Sequence, residues 1–423
     1  MTKLDKITVF EHQTLKLNKN NEQSTLLKAL QNFYGEKGVP YFSLINDGVK
    51  FKEYVGVIQV GKTVIEVLPK ADDDSLNEKK WRGNLIKMLF AVEVFDVHAP
   101  SISNLNLTPN SILDLYFELF ILEVEYLVRK GLLRQYRQKN DNVTALKGKL
   151  LFGKHIQKNI VHKERFYVSH STYDFEHKLH IVIYKTILLI NRLNTNIGLQ
   201  SRIGALLLNF PEMPDMKITE TLFDKFFWNR KNVTYKKAIE ISKLLLLQYH
   251  PDVCNGRNNV LALMFDMNKL WEKFVFLSLR KANKSHEMKI SRHISKLFWK
   301  SKSSYSKMIP DIVLTGVENG ESYCVVLDTK WKVLNSYKPS IDDLRQMYVY
   351  HEYYGAKKVA LLYPGIKNYQ TDGSHSGFYL NPDNGEKTDK ECGVICSLVN
   401  SDLKKWQEQI YDCVEGFIKK EVV

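Results

Sequence analysis

The sequence predicts an α/β (α+β) protein: a β-rich and then helical N-terminal domain, followed by a mixed sheet flanked by helices. Three observations carry that expectation. Residues Glu53–Lys70, EYVGVIQVGKTVIEVLPK, alternate apolar and polar side chains about Gly61, the period of a half-buried hairpin. From Glu78 to about Arg137 the apolar spacing changes to i, i+3, i+4. In the last third, the order helix, strand, hairpin, helix, strand describes a mixed sheet covered by helices. The composition change near residue 165 divides the chain into 1–165 and 166–423, with the core of the second part at about 260–370.

Taken in order, Ile7–Phe10, Tyr41–Ile45, Lys52–Val60 and Lys62–Leu68 read as strands, with a helix at Leu26–Tyr34 and a break at Asp72–Ser75. Trp81–Phe90 and Ile112–Arg134 read as helices; Leu105–Asn110 is the loop between them and Ser111 an N-cap. Lys139–Asn142 reads as a loop before a basic strand at Leu146–Phe152. Helices follow at His177–Leu193, Ile203–Leu208 and Tyr235–Tyr249, the last stopped by His250-Pro251. Leu263–Ala282 reads as an amphipathic helix, Lys289–Lys300 as a strand and Ser301–Lys307 as a loop. After the hairpin at Ile309–Trp331 come a helix at Ile341–Tyr354 and an apolar strand at Lys358–Tyr363. A long polar loop, Gly365–Glu391, touches edge strands at Phe378–Leu380 and Gly393–Ser397, and Asp402–Lys419 closes the chain as a helix.

Composition narrows the function classes. The 61 Lys+Arg against 47 Asp+Glu leave a formal charge of +14, which suits a polyanionic partner, nucleic acid before membrane. A Lys/Asn-biased composition would produce the same surplus. The five cysteines have neither zinc-finger nor C-x-x-C spacing, which points to reduced, buried thiols. MTKLDKITVFEHQ contains no apolar signal-peptide segment, and the most apolar run, Ile112–Val128, carries Asp114, Glu118, Glu123 and Glu125. The expectation is a soluble cytoplasmic protein without a membrane span.

The chemistry concentrates in Ile309–Trp331, IPDIVLTGVENGESYCVVLDTKW. Asn319-Gly320 suits a two-residue type I′ turn, which needs φ > 0 twice. That turn sets Glu318 opposite Glu321, and the same register carries Asp311 to the position facing Asp328. Facing Cβ atoms lie roughly 4.5–5.5 Å apart, and like charges so placed repel unless something positive intervenes. Lys330, two residues beyond Asp328, shares its face. Two carboxylates and an amine converging within an apolar hairpin make a site for a divalent cation and a phosphate, and hence a nuclease centre. Pro-Asp alone occurs four times and [DE]-x-K six times, so context separates this set from a surface Asp–Lys hairpin.

Glu272, at the margin of the apolar face of Leu263–Ala282, could complete an oxygen ligand set for Mg²⁺, or could be solvated and paired with Lys269 or Lys273. Gln346 and Tyr350, at i and i+4, share a helix face and could orient a phosphate or hold the lysine. Arg345, Lys338 and the basic aromatic stretch Lys296–Lys307 suit contacts to a DNA backbone, or a solvated loop.

Glu272, Pro310-Asp311, Asp328-Thr329-Lys330 and Gln346-x-x-x-Tyr350 together resemble the PD-(D/E)xK nuclease superfamily, in the RecB-like branch with its Q-x-x-x-Y helix. GVIQVGKTVIEVLPK, GLLRQYRQKNDNVTALKGKL and the order of parts resemble the McrC family, the nuclease subunits of McrBC-type restriction systems, over nearly the whole chain. The resemblance implies a Mg²⁺-dependent endonuclease cutting double-stranded DNA. Asp311, Asp328 and Glu272 would be metal ligands, and Asp311, Asp328, Lys330, Gln346 and Tyr350 the catalytic set. It further implies a McrB-like AAA+ GTPase hexamer as partner, bound through the N-terminal half and stimulated by it. No G-x-x-x-x-G-K-[ST] occurs, which agrees with nucleotide hydrolysis by a partner. Lys147-Gly148-Lys149 replaces an expected Arg-Gly-Arg-like turn, and His180 an expected Asn. A non-cleaving adaptor that activates an AAA+ motor, and a stand-alone RecB-like nuclease, are the alternatives.

Overall fold

The computed structural model describes residues 6–17, 21–70, 77–92, 112–250, 259–283, 288–318, 321–335, 337–367 and 373–419. The Asn319-Gly320 turn, the Asp72–Ser75 break, the Leu105–Asn110 loop with its Ser111 cap, and Pro251 lie outside them. The chain opens with β1 (Lys6–Phe10), β2 (Thr14–Lys16), α1 (Asn21–Tyr34), β3 (Phe42–Ile45) and β4 (Gly48–Phe51). Then come β5 (Tyr54–Val60), β6 (Thr63–Leu68) and α2 (Glu78–Ala91). The middle holds α3 (Ile112–Lys130), β7 (Gln135–Val143), β8 (Lys149–Leu150), α4 (Phe152–Asn159) and β9 (Phe166–Asp174). It continues with α5 (Lys178–Leu193), α6 (Ile197–Asn209), α7 (Glu220–Asp224), α8 (Lys236–Leu247) and β10 (Tyr249–His250). β11 (Val260–Asp266) leads into α9 (Met267–Ala282), β12 (Lys289–Arg292), β13 (Lys296–Lys300) and β14 (Tyr305–Met308). The rest is β15 (Ile312–Glu318), β16 (Glu321–Thr329), β17 (Leu334–Asn335), α10 (Ile341–Tyr354) and β18 (Lys358–Tyr363), then β19 (Ile366–Lys367), β20 (Gly373–Leu380), β21 (Lys387–Cys396) and α11 (Leu403–Lys419).

The expected division at residue 165 differs from the packing. One compact unit joins residues 1–96 to 264–423, and the other is 97–263. Long-range contacts inside the first unit explain this. Trp331 Nε1 and the Lys70 backbone N–H both donate to Glu11 Oε1 at 2.7 Å, and Met267 N donates to Glu53 O at 3.0 Å. The Lys87 ammonium donates to Ser401 O at 2.5 Å. Glu11 is buried, and burial pushes its carboxyl up to about 7 against the pull of its two donors. Pairings between residues so distant in sequence leave no trace in local periodicity.

Six strands form the sheet that carries the chemistry, in the order β12-β15-β16-β18-β21-β20. The β16–β18 and β18–β21 pairs are parallel and the others antiparallel, so the sheet is mixed, as expected. The hairpin register is the one read from the sequence: Glu318 faces Glu321 and Ile312 faces Leu327. Alternation then sorts the faces. Val313, Val326, Val359, Leu361 and Val394 form one buried cluster with Met347, Tyr350 and Tyr354 of α10. On the opposite face Gly393 lies against the buried Phe417 of α11, which packs on α9 through Trp406 and Phe274, 4.6 Å between ring centroids. Each such buried aromatic or aliphatic side chain contributes roughly 1.5–3 kcal/mol.

α10 spans the residues expected, and its ends show why. Ser340 Oγ accepts from Asp343 N at 3.2 Å, Asp342 and Asp343 face the positive end of the helix dipole, and Gly355 closes it in the left-handed region (φ 57°).

Several local expectations are corrected. Residues 135–143, expected as helix end and loop, form β7, paired over its whole length with β9; most of β7 is exposed or half-buried and so lacks the apolar alternation that signals a strand. The expected strand at Leu146–Phe152 is only β8, followed by α4. The expected helix Leu263–Ala282 starts at Met267, where Asp266 caps it by accepting from Asn268 N and Lys269 N; the residues before it belong to the nearly continuous apolar strand β11. Such short apolar runs do not distinguish strand from helix. Lys289–Lys300 is two strands, and the expected Ser301–Lys307 loop is half of a β13–β14 ribbon. Most of the expected loop 365–391 is strand, β20 pairing with β21. No helix among the described residues is long and apolar enough to cross a membrane.

A Cβ on Gly393 would lie 2.4 Å from the Phe417 ring, which is fully buried and cannot yield. Gly393→Ala is expected to destabilise the protein by about 1–3 kcal/mol, measured as a lowered thermal midpoint. Gly377→Ala, whose Cβ meets only Cys392 O at 3.6 Å, should melt like the parent chain.

Candidate active site

Asp311 sits one residue before β15, and continuing the Ile312–Leu327 pairing outward brings it opposite Asp328 near the end of β16. Asp328 is 2% exposed. Its carboxyl is pushed up to about 6, first by burial and then by the Asp311 charge, with the Lys330 ammonium pulling the other way. Asp311 Oδ2 accepts from both the backbone N–H (2.7 Å) and the hydroxyl (2.8 Å) of Thr329. Neighbouring residues on β16 thus serve opposite carboxyls: Thr329 orients Asp311 while Asp328 carries the facing charge.

Lys330 follows where the strand ends. Its backbone N–H still donates to Leu362 O of β18 at 3.0 Å, which fixes the base of its side chain. Its Nζ lies 2.5 Å from Asp328 Oδ2, 3.3 Å from Gln346 Oε1 and 4.0 Å from Asp343 Oδ1. The contact to Asp328 is a close ion pair in which the ammonium serves the buried Oδ2. Burial works to strip the Lys330 proton, but Asp328, Asp343 and Asp311 outweigh it and the pKa is raised. The side chain is an ammonium at neutral pH.

Gln346 brackets this pair from α10. Its Nε2 donates to Asp328 Oδ1 at 3.2 Å and to Tyr350 Oη at 2.9 Å, while its Oε1 accepts from Lys330. A Glu here could not make the two donations. Tyr350 is buried and donates to Ile309 O at 3.3 Å. Burial, and after it the two aspartates, push its phenol up to about 12 in spite of the Gln346 bond. It therefore acts as a neutral strut. Of the two tasks expected of Gln346 and Tyr350, the geometry has Gln346 holding the lysine.

Glu272 is placed differently from the expected ligand set. It projects from α9, where Arg292 Nη2 (3.0 Å) and His293 Nε2 (2.7 Å) both meet its Oε1. His293 adopts a left-handed backbone (φ 52°), and its N–H reaches Asp311 O at 3.4 Å. Burial and then the Asp311 charge raise the Glu272 pKa, so the two acids are close enough to interact. Neither Lys269 nor Lys273 is the partner found. Among the described residues no three His, Cys, Asp or Glu side chains converge to hold a metal ion. The two-carboxylate set still fits a hard cation such as Mg²⁺. It offers carboxylate oxygens and a mutual repulsion that a positive ion would relieve.

Four contributors are not singled out in the sequence, and for Thr329, Arg292 and His293 the residue pattern offers no signature. Thr329 orients Asp311 through a backbone N–H, which no motif reveals. Arg292 ends the short strand β12 and His293 follows it, and both engage Glu272 from there. Asp343 accepts from Lys332 at 2.6 Å and approaches Lys330; it lies three residues before Gln346, a helical spacing that could have revealed it. Arg345 pairs with Asp342 on the exposed side of α10 and does not join the set, and Lys338 is exposed.

Over residues 49–364 the sequence matches the family described as McrBC 5-methylcytosine restriction system component. No curated protein matches. A chain of the half-complex refined from a tetradecameric assembly of Thermococcus gammatolerans McrB AAA+ hexamers with bound McrC superposes with a TM-score of 0.70 at 19% identity, covering 97% of this chain and 100% of that one. A chain of the T. gammatolerans McrBC complex, solved by cryo-EM, gives 0.47 at 19% identity, covering 66% of this chain and 88% of that one. The first of these shares the fold.

Because the Asp328 carboxyl titrates above its ordinary 3.8, the folded chain holds that proton more tightly than the unfolded chain does. Below about pH 4 both states are protonated and the group makes no difference; from about pH 4 to 6 stability falls as pH rises, and above that the folded state bears the full penalty. Asp328→Asn should flatten this decline in thermal midpoints measured without divalent cations. Parallel curves for the two proteins would remove Asp328 as the source of strain.

Proposed function

We propose, for a chain that belongs to the family of McrBC 5-methylcytosine restriction system components, that it is the subunit that cuts double-stranded DNA in a GTP-dependent system of this kind. The observation that carries this reading is the buried Asp328 carboxyl facing Asp311, with the Lys330 ammonium 2.5 Å away. The arrangement matches the needs of phosphodiester hydrolysis in the manner of the PD-(D/E)xK enzymes. Asp311 and Asp328 would hold a Mg²⁺ ion, with Glu272, whose Oε1 is engaged by Arg292 and His293, as a third candidate through its other oxygen. Bound there, the ion would supply Lewis-acid polarisation of a phosphoryl oxygen and a lowered pKa for water.

The protein's own side chains define the rest. Lys330, kept protonated, stabilises the negative charge that builds on the phosphate, and its raised pKa argues against a role as general base. Gln346 fixes Lys330 and Asp328 relative to each other, so both arrive preorganised. Tyr350 braces Gln346 and closes the apolar floor of the site.

In the complete complex with its GTPase, Asp328→Asn and Lys330→Ala should each reduce cleavage by about 10²-fold or more, with stimulation of GTP hydrolysis retained. Cutting at the parental rate by either variant would refute the assignment. A second reading, a non-cleaving adaptor, draws support from the engagement of Glu272 by Arg292 and His293. GTP hydrolysis without nicking at any Mg²⁺ or Mn²⁺ concentration would favour it.

The partner we infer is an AAA+ GTPase hexamer, from the assembly named for the similar structure and from an apolar surface on the unit of residues 97–263. Phe152, Ile156 and Ile160, at i, i+4 and i+8 along and just beyond α4, are 68%, 60% and 71% exposed, with Val161 alongside. Three large apolar side chains on one face of a short helix mark an interaction surface. Ile156→Asp should weaken co-elution with the GTPase at least 10-fold without lowering the thermal midpoint; undiminished assembly would move the contact elsewhere.

A further inference from the structure

The β13–β14 ribbon has an unusual surface for a protein on its own. Every residue from 296 to 307 except Ser301 is exposed. Leu297, Phe298, Trp299 and Tyr305 are each roughly half exposed or more, and Lys296, Lys300, Lys302 and Lys307 add four positive charges. No Asp or Glu occurs between Arg292 and Asp311. Among the described residues Lys300, Lys302 and Lys307 meet no carboxylate, and Trp299 has no ring or hydrogen-bond partner.

The ribbon is nevertheless firmly mounted. Tyr354 Oη lies within hydrogen-bond distance of Ile294 O (2.6 Å) and Met308 O (3.0 Å), one on each leg. Lys296 Nζ donates to Tyr353 O at 2.8 Å and sits over the Tyr354 ring. A bulge between Leu297 and Trp299 makes Phe298 the extra residue, and its ring packs edge-on against Tyr353 at 5.1 Å. All these anchors belong to α10, the helix that carries Gln346 and Tyr350, and the second leg runs directly into Pro310-Asp311. Whatever the ribbon grips is held in fixed relation to the carboxylate pair.

We propose that this ribbon is a duplex-DNA arm, with Lys300, Lys302 and Lys307 on phosphates and Leu297 and Trp299 lodged against the bases in a groove. The inference rests on the nuclease reading for its purpose, namely seating the duplex across Asp311 and Asp328. Its chemistry favours DNA. Lysines that meet no carboxylate release counterions on meeting phosphates, and a major groove about 12 Å wide admits a two-stranded ribbon whose apolar side chains can meet thymine methyl groups. An anionic lipid surface is the competing occupant, and the ribbon's fixed mount beside the acids argues against it.

The test uses the full chain, a fluorescent 30-base-pair duplex and no divalent cation, with affinity followed by anisotropy over a salt series. A Lys300→Gln/Lys302→Gln/Lys307→Gln chain should bind more weakly and lose about 2–3 from the log–log salt slope. Trp299→Ala should weaken binding about 5- to 100-fold with little change in slope, and thermal midpoints should be unchanged because these side chains are exposed. Parental affinity and slope in both variants would overturn the arm. So would a parent chain that ignores the duplex, or one that instead binds phosphatidylserine–phosphatidylcholine vesicles through these residues. Cleavage of the same duplex by the complete complex with Mg²⁺ separates the two ideas. Ribbon-dependent binding with no cutting by any protein leaves the arm and removes the nuclease; cutting with ribbon-independent binding does the reverse.

Discussion

Two carboxylates are forced towards each other where a buried strand ends, and the rest of the unit is arranged around that repulsion. Asp328 is nearly inaccessible, Asp311 lies close to it, and the Lys330 ammonium offsets both. Such a cluster survives only if its geometry is over-determined. Thr329 holds Asp311 with two donors, Gln346 holds Asp328 and Lys330 at once, and the strand-end bond to Leu362 fixes the base of Lys330. Apolar burial by Met347, Tyr350 and Tyr354 on one face, and by α9 and α11 on the other, supplies the stability that the charges remove.

α10 has two tasks along its length. Its first half presents Asp343 and Gln346 to the charges, and its second half braces the β13–β14 ribbon through Tyr353 and Tyr354. Tyr350 stands between them, accepting from Gln346 and donating to Ile309 O just after the ribbon. The helix is capped at both ends by its own sequence, so this spacing does not depend on distant packing.

Much of this is legible in the amino-acid sequence. The hairpin register follows from turn chemistry and alternation, and extending it by one residue carries Asp311 towards Asp328. The limits of α10 and β18 follow from caps and an apolar run. The features that are not legible have no local signature. The β7–β9 and β13–β14 ribbons lie largely in solvent and so lack a hydrophobic period. Glu272 sits on the helix face expected of it, yet its partners come from a strand end some 20 residues on, where Arg292 and His293 could not be foreseen. The split into 1–96 with 264–423 depends on contacts such as Glu11 with Trp331, between residues 320 positions apart.

That last contact reaches further. The residue after Lys330 anchors its indole on a carboxylate that directly follows the first strand of the chain, and the same indole packs 5.4 Å from Trp271. A core excised as a cassette from about residue 264 onward would keep every acid and amine of the candidate site but strand a buried indole N–H beside them. The opening segment, residues 1–96, is thus a structural part of the unit that carries Asp311, Asp328 and Lys330, and residues 97–263 interrupt that unit in the sequence. Trimming the amino terminus would remove the Glu11 acceptor on which that indole depends.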